Sequence, residues 1–153
     1  MNRDSNTYTF LFATIMVLIV ASTLAFTASS LKDLQAANVR KEKMQNILAT
    51  IGLNTGRDQA EDLYKKYISA ELSLTNDGSV DKKTNAFEIK LSNEIKKPIS
   101  EQRFPIYEAN LDEEKFYIIP LRGAGLWNAI WGYIALEEDK NTIKGAVFDH
   151  IGE

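Results

Sequence analysis

Residues 118–153 read IIPLRGAGLWNAIWGYIALEEDKNTIKGAVFDHIGE, and the fold is decided there. A β-rich run at 116–121 is closed by Pro120. From 129 to 136 the side chains alternate, with Trp131, Tyr133 and Ala135 on one face and Ile130, Ile134 and Leu136 on the other. The polar stretch 137–141 turns the chain, and 142–148 returns as a second strand, which gives a hairpin. Between the first two strands, Arg122-Gly123-Ala124-Gly125 reads as a loop whose glycines are free to take φ > 0. The stretch therefore predicts a small antiparallel sheet.

Working outward, the other end of the chain is equally plain. Residues 5–31 contain no Asp, Glu, Lys, Arg or His, and their centre is FLFATIMVLIVASTLAF (10–26). A helix of about 20 such residues crosses a hydrocarbon core of roughly 30 Å. Tyr8 and Phe10 stand where interfacial aromatics belong, so residues 8–31 are read as lipid-contacting. A cleaved secretory signal ending near Ala28-Ser29-Ser30 is the competing reading. Its apolar region would exceed the usual core of about 7–15 residues, and only Arg3, set against Asp4, charges the N-terminus. Lys32, Arg40, Lys41 and Lys43 follow the span, so a count of flanking positive charge leaves the rest of the chain in the cytoplasm.

After the span, residues 31–53 read as helix, with a broken apolar stripe (Leu34, Val39, Met44, Ile47, Leu48, Ile51) and a stop at Gly52. A second helix follows Thr55, with Leu63, Tyr64, Tyr67 and Ile68 on one side. Residues 75–84 form a polar loop around the Asp77-Gly78 turn. Residues 86–91 and 104–107 are short strand candidates. Asp77, Asp81 and Glu88 lack the ordered spacing of a calcium loop, and a surface loop is preferred.

Composition excludes several functions. The 153 residues carry a net charge of −3, so no basic footprint for nucleic acid exists. No cysteine is present, which removes disulfides and cysteine-ligated metal or iron–sulfur centres. His150 is the single histidine, and no metal site is predicted. No dinucleotide fingerprint, phosphate loop or nucleophile elbow occurs, and no catalytic residue is assigned. Asp149, His150 and Glu153 would gather near a ligand only against strand alternation, and a surface role suits His150 better. Gly123, Gly125, Leu126 and Trp127 are the candidates that remain. They read either as a tight loop with a packed tryptophan, or as glycines admitting a ligand beside an apolar wall.

GxGLW, the aromatic strand WGYIAL, a turn ending in NTI and a strand running into GE resemble the flavin-binding domain of the C subunit of the Na+-translocating NADH:quinone oxidoreductase (Nqr). A related subunit of similar fold belongs to the Rnf electron-transport complex, but Gly125-Leu126-Trp127 fits the Nqr form better. The apolar span followed by a charged helix also suits this family's layout.

The resemblance implies an α+β protein, with one N-terminal transmembrane helix before a truncated FMN-binding domain containing an antiparallel sheet. The expected divisions are 1–31 (tail and span), 32–70 (membrane-proximal helical segment) and 71–153 (incomplete flavin domain). It implies FMN-binding roles for Gly123, Gly125, Leu126, Trp127 and, where the family's GETPGLG run begins, Glu153. In the family, FMN is carried by the last threonine of a later S/T-G-A-T motif, which these 153 residues do not contain. A fragment of residues 33–153 is accordingly expected to be colourless and self-associating. The implied partners are the other Nqr subunits, the implied work is electron transfer from NADH toward ubiquinone coupled to Na+ export, and the implied place is the bacterial inner membrane. There the flavin domain would be periplasmic, against the charge count. A pilin-like or other anchored binding module without a redox cofactor is the alternative. Pilins usually carry a glutamate early in the apolar stretch, and 5–31 has none.

Overall fold

A serine starts the first helix. In the computed structural model, which describes residues 5–150, the Ser5 hydroxyl accepts the Tyr8 N–H at 3.2 Å, as an N-cap does. Helix α1 (Asn6–Ala49) follows, and it is long and apolar enough to cross a membrane. The hydroxyls of Thr14 and Thr23 donate to the carbonyls of Phe10 and Ile19, each at 2.8 Å, which satisfies them inside an apolar stretch. The chain divides into two compact units, Met1–Arg40 and Lys41–Glu153.

The second unit is α+β. It contains the last turns of α1, then α2 (Ala60–Tyr67) and five strands: β1 (Ile68–Leu74), β2 (Phe104–Leu111), β3 (Glu114–Ala124), β4 (Ala129–Leu136) and β5 (Ile143–His150). The sheet order is β1-β2-β3-β4-β5 and every pairing is antiparallel, a plain meander. The helices cover one face. Met44, Ile47, Leu48 and Ile51 join Ala60, Tyr64 and Phe87 over Tyr107, Ala109, Phe116, Ile118, Tyr133 and Ala135. Tyr64, Phe87 and Tyr107 meet edge to face, at centroid distances of 5.6 and 6.4 Å. Lys43 pins this corner, donating to the Phe87 carbonyl with its ammonium above the Phe87 ring.

Several expectations change. The second helix ends at Tyr67, and Ile68 opens β1 instead of extending the helical face. Residues 86–91 are not a strand. Asn85 accepts the Phe87 N–H and turns the chain into a 3-10 turn (Ala86–Glu88), and helix α3 (Leu91–Glu94) follows. The β2–β3 connection is a two-residue turn in which Asp112 and Glu113 both take left-handed φ (53° and 67°), a conformation their residue types hardly advertise. The polar 137–141 connection stands as read. Asp139 accepts from the N–H groups of Asn141 and Thr142 and from the Thr142 hydroxyl.

Candidate functional site

The GxGLW segment lies at the tip of the β3–β4 hairpin. Ala124 pairs with Ala129, and residues 125–128 make the loop, closed by the Gly125 N–H donating to the Asn128 carbonyl at 2.7 Å. Arg122–Gly123–Ala124 is thus the end of a strand, not a loop, and neither Gly123 nor Gly125 has a left-handed φ. The longer β3 is the reason: its pairing with β4 continues through Arg122↔Trp131, Gly123↔Ile130 and Ala124↔Ala129.

The glycines here do different work. A Cβ on Gly125 would meet the Asn128 carbonyl oxygen at 2.5 Å and Ile130 Cγ1 at 2.8 Å, so the hairpin closes only around glycine. At Gly132 a Cβ would meet the Val147 carbonyl at 2.3 Å and Phe148 Cδ1 at 2.6 Å. The Phe148 ring therefore covers its cross-strand partner, Gly132. At Gly123 a Cβ would meet nothing within 4 Å.

Register assigns the faces. Trp131, Tyr133 and Ala135 face the helices, as their alternation predicts, with Ala135 fully buried and Trp131 edge-on to Tyr133 at 6.1 Å. Burial pushes the Tyr133 phenol up to about 12. Phe148 does not share that face with Val147. It lies opposite Gly132 on the uncovered side, beside Leu121 and near Ile130, and is 60% exposed. Leu121, Arg122, Gly123, Ile130 and Phe148 belong to a cleft of about 350 Å³.

Of the sequence-predicted site residues, the hairpin brings Gly123, Gly125, Leu126 and Trp127 together. Leu126 and Trp127 stand 88% and 80% exposed at its tip. Trp127 is therefore not a packed core residue, and the two side chains present free apolar area. Glu153 lies outside the described residues. Asp149 pairs with Trp131 and His150 with Ile130, so the two occupy opposite faces of β5. Asp81 is engaged by Arg103, whose Nε lies 2.7 Å from its Oδ2, and that hydrogen bond holds the carboxyl down at about 2. Among the described residues no group of three His, Cys, Asp or Glu side chains is placed to hold a metal. Sequence reading missed Phe148 and Ile130 as companions of the glycines. The signal was available in the hairpin register, which sets Gly132 against an aromatic residue.

No protein-family model matches the chain. Curated relatives do. The C subunit of the Na(+)-translocating NADH-quinone reductase of Pseudomonas aeruginosa is 28% identical over 173 residues, covering 99% of this chain and 66% of the relative. The same subunit of Vibrio anguillarum is 31% identical over 169 residues, with the same coverage. Among solved structures, the corresponding subunit from Parabacteroides distasonis superposes with a TM-score of 0.74 at 36% identity, over 80% of this chain and 59% of that one. The chain spans just under two thirds of the length of the curated relatives it matches.

Proposed function

The chain belongs to the family of C subunits of the Na(+)-translocating NADH-quinone reductases, and from that premise we propose that it is the FMN-carrying electron-transfer subunit of such a complex. In this reading it sits in the bacterial inner membrane through its apolar helix, beside the other Nqr subunits, with residues 71–153 as the flavin domain on the periplasmic side. NADH oxidation, ubiquinone reduction and Na+ export are work of the whole assembly.

The observation that carries the reading is the hairpin. A planar ring needs apolar area with few polar groups to fix its orientation. Exposed Leu126 and Trp127 supply such area at the tip, and the backbone at Gly123 is open to close approach. Gly125 has a structural duty and serves the site by shaping the loop. The residues therefore fit the group. Bound FMN would supply one-electron transfer, and this chain would position it and limit its exposure to water. Gly123, Gly125, Leu126 and Trp127 are the contacts we assign, with Glu153 as a further one. Family resemblance gives the covalent link to a threonine in an S/T-G-A-T motif, which is not within these 153 residues.

The test is to isolate the native complex through a tag on this subunit and view the denatured subunits under ultraviolet light. A fluorescent band at this subunit supports the proposal. Co-purification without flavin would favour an anchored binding module with no redox cofactor.

A further inference from the structure

Residues 80–103 carry six Lys and Arg against four Asp and Glu, in a chain whose net charge is −3. Two of those acids brace the segment from within. Glu94, buried at the end of α3, accepts from the Lys97 ammonium at 2.8 and 3.0 Å and from the Arg103 N–H at 3.0 Å. Asp81 accepts from Arg103 Nε, from the Lys83 N–H and from the Thr84 hydroxyl. The Gln102 side chain donates to the Lys97 carbonyl at 2.9 Å, and a 3-10 turn (Ile99–Glu101) leads on to β2. Arg103 thereby ties the 75–84 loop to the bend at 90–103.

The braced bend presents apolar groups and cations together. Ile95 and Ile99, four residues apart, are 59% and 72% exposed, more than any other large aliphatic side chain described in the second unit except Leu126. On the same loop and bend, Lys82, Lys83, Lys90 and Lys96 are exposed and make no ion pair among the described residues. An exposed isoleucine alone needs no explanation. Two of them on a rigid bend among four unpaired lysines do. A protein interface suits this surface poorly, because lysine is depleted from such interfaces while arginine and aromatic residues are enriched. An anionic bilayer surface suits it better: aliphatic side chains enter the acyl boundary, and ammonium groups stay among the headgroup phosphates.

We propose that this bend docks on an anionic lipid surface, with Ile95 and Ile99 entering the interface and Lys82, Lys83, Lys90 and Lys96 meeting lipid phosphates. The inference rests on the reading of α1 as a membrane anchor and is independent of the flavin. A chain already held in a bilayer meets lipid at high effective concentration, so an attraction too weak to recruit a free protein suffices. The hydrogen bonds of Glu94 and Asp81 fix the bend beforehand, so little conformational freedom is lost on docking.

The experiment places the full chain in lipid nanodiscs of phosphatidylcholine, alone or mixed with phosphatidylglycerol, whose acyl chains carry bromine as a contact quencher. Because the chain has no cysteine, Ser100→Cys holds a single fluorescent dye beside Ile99, and Glu138→Cys in the exposed β4–β5 turn is the control. Quenching at position 100 is expected in the anionic discs, with none at position 138 and little in phosphatidylcholine alone. Lys90→Gln and Lys96→Gln should each lower the docked-to-free ratio about fivefold, and added salt should act in the same direction. Ile95→Ser with Ile99→Ser should abolish the quenching at an unchanged melting temperature, since both side chains are exposed. An unquenched dye in anionic discs, equal quenching in both lipids, or quenching indifferent to the Ile and Lys variants would each overturn the inference. So would a photo-crosslinker on Cys-substituted Ser100 that joins another subunit in the native complex, which would give this surface to a protein. Failure of the anchor reading looks different: the chain would wash off the discs, whereas a retained chain with an unquenched dye sinks the docking alone.

Discussion

Replacing Gly145 with alanine puts a methyl group where the structure has a carbonyl. The new Cβ would lie 2.4 Å from the Thr50 oxygen and 3.3 Å from its carbon. Thr50 belongs to the turn that ends α1, is 1% exposed, and donates its hydroxyl to the Ile47 carbonyl at 2.6 Å. Its neighbours Ile47, Leu48 and Ile51 are all buried, so the carbonyl cannot retreat without lifting the helix end from the sheet. Overpacking of this kind costs about 1–3 kcal/mol. Alanine returns about 0.4–1 kcal/mol by restricting the unfolded chain. A net loss of about 1–2 kcal/mol is expected, a fall of roughly 4–8 °C in melting temperature. Gly123→Ala is the control, because its Cβ meets nothing and only the gain remains. Urea unfolding followed by tryptophan fluorescence, with thermal melts alongside, measures both. Should Gly145→Ala equal or exceed the wild type in stability, the close packing of β5 against the end of α1 would be wrong.

Other predictions follow from single sites. Glu113→Gly should raise stability by about 1 kcal/mol, since a non-glycine residue in left-handed backbone costs about that much; denaturant midpoints read it. The hydrogen bond from Arg103 lowers the Asp81 carboxyl to about 2, so its contribution is present above about pH 4 and lost as pH falls through 2; Arg103→Met should flatten stability across that window. The buried Tyr133 phenol titrates near 12, so its contribution is present below pH 10 and disappears as pH rises through 12; Tyr133→Phe should blunt the alkaline unfolding seen by absorbance. Because the chain has no cysteine, Lys82→Cys supplies one thiol in the exposed 75–84 loop. An impermeant maleimide should label it from the periplasmic side, and labelling only after lysis would support the charge count.

Legibility followed the physics of each segment. β4 was readable to the residue, because alternation in 129–136 is strict and the polar 137–141 turn announces itself. The first strand was not. Ile68–Leu74 follows directly on α2, and Leu63, Tyr64, Tyr67 and Ile68 suit one helical face as well as a helix-to-strand junction. Residues 86–91 misled through their apolar content, when the deciding group was the Asn85 side-chain carbonyl accepting from Phe87. The Asp112-Glu113 turn gave no signal, since tertiary pairing of β2 with β3 overrides the preference for glycine. At the site, the glycines were visible but their duties were not: Gly125 serves closure, while Gly123 stands open. The face of Phe148 depends on the β4–β5 register, which sets it against Gly132 on the uncovered side.

The central claim is that this subunit holds flavin within its respiratory complex. Mass spectrometry of the denatured native subunit tests it most directly, with peptides mapped after digestion. The expected result is one FMN, attached as a phosphoester to a threonine, on the subunit that contains this sequence. A subunit recovered in the assembled complex at its unmodified mass, with all flavin on other subunits, would contradict it.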